Sequence, residues 1–220
     1  GTDHIPAEGP AIVVGNHRSY FDPLAMAITL AKRGRPVRFL GKKEVFDAPI
    51  VGQLARAMGG IRVERGTGSD EPLAAAALAL EAGEIVAMMP EGTIPRGPAF
   101  FDPVLKGRWG AARLAAMTGA PVIPVGLWGT EKVWPRSERL PNLLALRNPP
   151  KIRIRVGAPV AGLTGRSADA DTKRIMTAIT KLLPAEARKK RTPTSEELAR
   201  TYPGGKVKDT DESARRPGTD

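Results

Sequence analysis

The segment Asn16-His17-Arg18-Ser19-Tyr20-Phe21-Asp22 carries one of the two histidines in this 220-residue chain and sets an aspartate five positions after it. An aspartate that accepts a hydrogen bond from one imidazole nitrogen fixes the tautomer and leaves the other nitrogen free to take a proton. His17 would then be a general base and Asp22 its orienting partner. Two plainer roles compete with that one. A histidine beside a strand is often structural, and an aspartate next to proline can simply cap a helix. Which role holds depends on where the neighbouring elements put the two side chains.

Those elements are legible. Ala11-Ile12-Val13-Val14, ended by Gly15, reads as a short buried strand. Asp22-Pro23 before Leu24-Ala25-Met26-Ala27-Ile28 reads as a helix start, with Asp22 as the cap and Pro23 in first position. His17 therefore falls in a strand-to-helix turn, the place where open α/β sheets commonly bind ligands. Further strands are expected near residues 37–40, 61–63, 85–89, 122–127 and 152–156, and helices near 24–31, 49–58, 72–81, 109–117 and 171–183. The alternation predicts an α/β fold, a single domain whose largely parallel or mixed sheet is flanked by helices. Lys151-Ile152-Arg153-Ile154-Arg155-Val156 alternates charged with apolar residues and should be an edge strand or one exposed on a single face.

Further blocks surround the His17 segment. Gly41-Lys42-Lys43-Glu44-Val45 leads to Gly60-Ile61-Arg62-Val63-Glu64-Arg65, then Met89-Pro90-Glu91-Gly92-Thr93 and Ala120-Pro121-Val122-Ile123-Pro124-Val125 follow. In this order the motifs resemble the glycerophospholipid acyltransferase family (1-acyl-sn-glycerol-3-phosphate acyltransferase, PlsC-like), whose bacterial members make phosphatidic acid from lysophosphatidic acid. The likeness spans residues 11–160. It implies the glycerolipid acyltransferase fold and a catalytic dyad of His17 and Asp22. It also implies that Arg65 closes the second motif, that Glu91, Gly92 and Thr93 form the third, and that these residues contact the glycerol phosphate acceptor. The implied reaction moves a fatty acyl group from acyl-CoA or acyl carrier protein, a co-substrate rather than a cofactor, to the free hydroxyl of 1-acylglycerol 3-phosphate. One position departs from the pattern. The family continues Glu-Gly-Thr with arginine, whereas Ile94 stands here, and Arg96 two residues on is the candidate replacement.

The chemistry fits the residues on its own terms. A glycerol hydroxyl is a poor nucleophile at neutral pH, so attack on a thioester needs its proton removed as the bond forms, and histidine suits that task. Zero cysteines exclude a cysteinyl acyl-enzyme, and Ser19 lacks the Gly-x-Ser-x-Gly setting of a serine nucleophile. Direct transfer through a ternary complex is the simplest path. Arg65, at the end of the alternating Ile61-Arg62-Val63 run, presents a planar fork suited to phosphate, while an isolated arginine is otherwise a solvated surface charge. Lys42 and Lys43 are secondary candidates. Glu91 would repel a phosphate, so it should hydrogen-bond an acceptor hydroxyl or hold Arg65. With two histidines, no cysteine and no His-Glu-x-x-His, no metal site is expected.

Composition sets outer bounds. With 41% hydrophobic and 26% charged residues, the chain can bury a proper core as one domain over residues 1–184. Residues 185–220 show almost no apolar periodicity and are expected to be a polar, basic, disordered tail or linker. That stretch carries a net charge of +2 out of +11, so the basicity belongs mostly to the domain. A basic domain with 5% aromatic residues and no RNA-binding signature favours an anionic membrane surface over nucleic acid. No apolar run reaches the length of a transmembrane helix, and Gly1 in place of a methionine suggests a fragment, with membrane-anchoring helices or another catalytic domain as the candidate missing segments. The expected location is peripheral, on the cytoplasmic face of the membrane. Phe100-Phe101, in the proline-rich loop after the third motif, could line an acyl tunnel, dip into a bilayer or simply pack. Trp128 and Trp134 are expected in the core rather than at an interface. Other acceptors (a lysophospholipid, a glycolipid, glycerol 3-phosphate) and a non-enzymatic module binding anionic membranes or nucleic acid are the competing readings.

Overall fold

Six short, mostly apolar runs become the strands of one sheet: β1 (Ala11–Gly15), β2 (Val37–Lys42), β3 (Ile61–Val63), β4 (Ile85–Met88), β5 (Val122–Trp128) and β6 (Arg153–Val156). They are seen in a computed structural model that describes residues 1–47, 51–57, 59–63, 71–142 and 148–206. The spatial order is β3-β2-β4-β1-β5-β6, parallel throughout except for the antiparallel pair β5 and β6. All six strands fall where the sequence pattern places them. The alternating run at 151–156 is indeed an edge strand, with Arg153 and Arg155 exposed and Val156 buried.

Interior parallel strands bury both faces, which explains why they read as continuous apolar runs. Ile12 and Val14 of β1, with Val86 and Met88 of β4, face one core together with α4 (Glu71–Glu81), α5 (Gly110–Thr118) and α6 (Ala168–Leu182). Ala11 and Val13, with Ile85 and Ala87, face the other core, closed by Ala25, Met26 and Leu30 of α1 (Asp22–Ala31). Met26 and Leu30 are fully enclosed, worth about 1.5–3 kcal/mol each. That burial fixes α1 against the sheet and with it the loop at 16–21. Two short helices, α2 (Lys43–Asp47) and α3 (Val51–Ala57), link β2 to β3. The five residues of α2 are too few for a helical period to show in the sequence.

The stretch from Ala185 differs from the disordered tail expected of it as far as Lys206. A capping box between Thr194 and Glu197 opens a short helix, α7 (Ser195–Ala199). Beyond it Thr201 and Tyr202 are buried. The Thr201 hydroxyl accepts a hydrogen bond from Gly97 N–H at 2.7 Å, and Arg191 lies 4.6 Å over the Phe101 ring. Gly97 has φ +53°, and a Cβ there would fall 2.5 Å from the Tyr202 hydroxyl, so glycine is required for the close approach. Low apolar content hid the element because a few caps and one aromatic anchor hold it. Residues 207–220 lie outside the described residues.

This docking supports a stability prediction. Tyr202→Ala should cost about 3 kcal/mol, the lower end for removing a buried aromatic, read as a lower midpoint in urea. Acid should act at the same place. The Glu197 carboxyl is held down to about 2 by the Arg191 side chain and the Thr194 N–H. A depressed carboxyl contributes stability above its unfolded value and loses it as pH falls through the folded one. Protection of the α7 amides relative to the unfolded chain should therefore fall as pH drops from about 4.5 towards 2.

Candidate active site

The site lies at the carboxyl ends of the parallel strands, where β1, β4 and β5 hand over to loops. Gly15 ends β1 at a point where a Cβ would sit 2.5 Å from the Met26 Cε, so a larger residue there would push that side-chain end aside. Asn16 is buried and locks the turn to β5. Its amide nitrogen donates to Leu127 O at 2.9 Å and its oxygen accepts from Leu127 N–H at 2.8 Å. Asn16 was quoted in the motif without a role; a buried amide at a strand end is the signal that could have assigned one.

The structure brings His17 and Asp22 together. His17 Nδ1 is 2.9 Å from Asp22 Oδ2. The same oxygen accepts the backbone N–H of Arg18 at 2.6 Å and of Ser19 at 2.7 Å. Asp22 is fully buried while the His17 side chain keeps 18% of its exposure, so the imidazole reaches solvent and its anchor does not. An acceptor-only carboxylate opposite Nδ1 makes that nitrogen the donor and leaves the Nε2 lone pair free to accept a proton. The expected helix-cap role needs correcting: Phe21 occupies the cap position and Asp22 is the first helical residue. Its carboxylate turns back into the loop instead of capping, because three donors converge there.

Glu91 completes the frame from β4. It accepts the His17 backbone N–H at 2.8 Å through Oε1, so it braces the His17 backbone, a role outside the two expected for it. Gly92 turns with φ +72° and donates to Met89 O at 2.8 Å, and Thr93 follows half-buried. Ile94 is 2% exposed, so its side chain serves the core, and Arg96 stands half-buried two residues on. Arg65 lies outside the described residues. Arg62 is exposed and sits 3.8 Å from Asp47, and Lys43 is exposed.

This frame sets an expected pair of results. Glu91→Gln keeps an oxygen for the His17 N–H and should change activity less than about threefold. Glu91→Ala removes it and should cost about tenfold, the equivalent of about 1.4 kcal/mol of hydrogen bond. Steady-state kcat for both variants is the check; equal losses would show that charge rather than bracing matters.

The other loop residues have structural partners. Arg18 stacks 4.0 Å from the Phe100 ring and 4.3 Å from Trp128, with Nε 3.4 Å from Glu131. Phe100 is therefore buried beneath a cation rather than offered to a bilayer. Ser19 donates to Trp134 O at 2.7 Å and accepts from Phe21 N–H at 3.0 Å, which commits its hydroxyl to the loop. Trp134 meets Tyr20 edge to face at 5.7 Å. Both Trp128 and Trp134 are half-buried rather than enclosed in the core. A groove lined by Ala116, Val122, Leu163 and Asp171 opens at the amino end of β5, opposite the dyad, and takes no part in it.

A mostly parallel sheet, covered on both faces and carrying a buried-anchored His–Asp pair at the carboxyl end of a central strand, defines the class of protein. The chain belongs to the acyltransferase family, whose model, described as Acyltransferase, matches residues 1–128. The fold is similar to the crystal structure of the 1-acyl-sn-glycerophosphate (LPA) acyltransferase PlsC from Thermotoga maritima, with TM-score 0.57, 26% identity and coverage of 82% of this chain and 68% of that one. An uncharacterised protein of Mycobacterium tuberculosis is 31% identical over 173 residues, 75% of this chain and 46% of that protein. A chloroplastic 1-acyl-sn-glycerol-3-phosphate acyltransferase of Arabidopsis thaliana is 29% identical over 165 residues, 74% of this chain and 43% of its own length. The chain thus spans about half the length of the curated relatives it matches.

Proposed function

We propose that this chain transfers a fatty acyl group from acyl-CoA or acyl carrier protein to the free hydroxyl of 1-acylglycerol 3-phosphate, giving phosphatidic acid. The observation that carries this reading is the dyad: a partly exposed imidazole whose Nδ1 is fixed by the buried Asp22 carboxylate at 2.9 Å. His17 Nε2 takes the hydroxyl proton as the acceptor oxygen attacks the thioester carbonyl. The C–S bond then breaks and the thiol leaves with a proton. No covalent acyl-enzyme and no prosthetic group are needed. Glu91 supports the base through its backbone, and Gly92, Thr93, Arg65 and Arg96 are assigned to the acceptor.

The reading includes a peripheral position on an anionic membrane, at its cytoplasmic face. Tyr20, Leu24 and Ile28 follow one another at four-residue spacing and are 45%, 40% and 48% exposed, an apolar stripe beside the dyad that continues to exposed Lys32 and Arg33. No described helix is long and apolar enough to cross a membrane. The deciding experiment offers a long-chain acyl-CoA with lysophosphatidic acid, another lysophospholipid, a monoacylglycolipid and glycerol 3-phosphate in turn, on anionic vesicles. Transfer to lysophosphatidic acid above the others supports the assignment. Preference for another acceptor moves the substrate within the same chemistry, and no transfer to any of them removes the enzymatic reading.

A further inference from the structure

Two arginines at the dyad loop live on opposite terms. Arg18 is stacked between two rings and ion-paired with Glu131, so its charge is answered. Arg136 is half-buried and its charge is not. Its Nη1 donates to the Ile94 carbonyl, its Nε is buried with no acceptor, and neither Arg136 nor Arg96 pairs with a carboxylate among the described residues. Burial first, and then the like charge of Arg96, hold the Arg136 guanidinium below its ordinary value, with the nearby Tyr20 hydroxyl opposing them. Buried charges are normally paired, and two cations brought together in a partly dehydrated place are costly. A divalent anion would answer both at once.

The position is informative. Ile94 directly follows the third motif. Trp134, two residues before Arg136, holds Ser19 and packs on Tyr20, so the guanidinium is tied to the same loop that carries His17. With Nη1 committed to a backbone carbonyl and Nε enclosed, Nη2 is the donor left to meet a phosphate oxygen. A glycerol backbone is short, so an acceptor whose hydroxyl sits at His17 must place its phosphate close by. The phosphates of coenzyme A lie a pantetheine arm away from the thioester.

We propose that Arg136 and Arg96 together bind the phosphate monoester of the acyl acceptor and so select phosphorylated over neutral acceptors. This rests on the acyltransferase reading above. The test compares wild type with Arg136→Gln, Arg136→Lys and Arg96→Gln, measuring kcat and KM for lysophosphatidic acid, for uncharged monoacylglycerol and for acyl-CoA. Thermal stabilisation of each protein by glycerol 3-phosphate and by inorganic phosphate is recorded alongside. Both glutamine variants should raise the lysophosphatidic acid KM at least about tenfold. KM for monoacylglycerol and acyl-CoA should stay within about twofold, the shift with glycerol 3-phosphate should be lost, and Arg136→Lys should recover part of the affinity.

A purely structural Arg136 would move all three KM values or the fold itself, and Arg96, which holds no backbone carbonyl among the described residues, keeps the test valid if Arg136→Gln misfolds. Unchanged lysophosphatidic acid KM in an active Arg96→Gln enzyme overturns the proposal. So does a rise confined to acyl-CoA, or a phosphate-induced shift that survives both substitutions. If wild type acylates no lysolipid, the failure belongs to the acyltransferase reading instead.

Discussion

His17→Ala is expected to lower the single-turnover rate of acyl transfer by about 10²- to 10⁴-fold, the usual worth of a positioned general base, with folding unchanged. The loss should fall on chemistry. The imidazole is the only part of the residue that presents a proton acceptor, and its backbone N–H to Glu91 survives the substitution. Stability should move little because the ring is partly exposed and the buried partner Asp22 retains its two backbone donors. Acceptor KM should hold within about threefold, since proton abstraction belongs to the transition state and not to ground-state binding. A drop smaller than about tenfold in kcat would sink the general-base role. Undiminished binding to anionic vesicles with no wild-type transfer at all would instead favour a non-enzymatic membrane module.

The strands and long helices were legible because both-face burial leaves a signature that no other element shares. Val13 and Val14 point to opposite cores, and such a run without alternation, ended by Gly15, has few alternatives. The His17–Asp22 pairing was legible from spacing, since a five-residue step through a tight turn returns the carboxylate to the ring. What could not be read were contacts made across the fold. Glu91 meets His17 over 74 positions and Asn16 meets Leu127 over 111, separations that only the order of strands in the sheet brings together. The role given to Asp22 as a helix cap failed for a physical reason: the Arg18 and Ser19 amides and the imidazole outcompete the helix for one oxygen. The fold of 185–206 was hidden because Thr201 and Tyr202 dock singly, below any periodic signal.

The same sheet order explains why bracing is so heavily invested around one ring. His17 stands on a loop, and loops move. Here the loop is pinned at both ends, by Asn16 to β5 and by Asp22 at the start of α1, and its middle is held by Ser19 to Trp134 and by Arg18 between Phe100 and Trp128. A base needs its lone pair within a fraction of an ångström of the productive position. Distributed anchors from four separate segments supply that without any single strained residue.

Asp22 separates this catalytic geometry from the stability of the loop, and two substitutions should divide the two effects. Asp22→Asn keeps an oxygen that can still accept the Arg18 and Ser19 N–H groups. That same oxygen also faces Nδ1, so the tautomer is kept, but the negative charge that would stabilise the imidazolium formed on proton transfer is lost and a buried amide nitrogen takes the unpartnered Oδ1 place. Activity should fall about tenfold, the difference of about 1.4 kcal/mol between a charged and a neutral acceptor, while the urea midpoint stays close to wild type. Asp22→Ala should lose comparable activity and also strand two backbone donors in a fully buried place. Each unsatisfied donor costs about 1–3 kcal/mol, so unfolding should become easier by about 2–6 kcal/mol in all. Measuring kcat and urea midpoints on both variants settles the division. An Asn variant that keeps full activity would mean that His17 needs an acceptor at Nδ1 but not the carboxylate's charge. An Asn variant as unstable as the Ala variant would mean instead that the carboxylate's charge, and not its acceptor geometry, holds the loop in place.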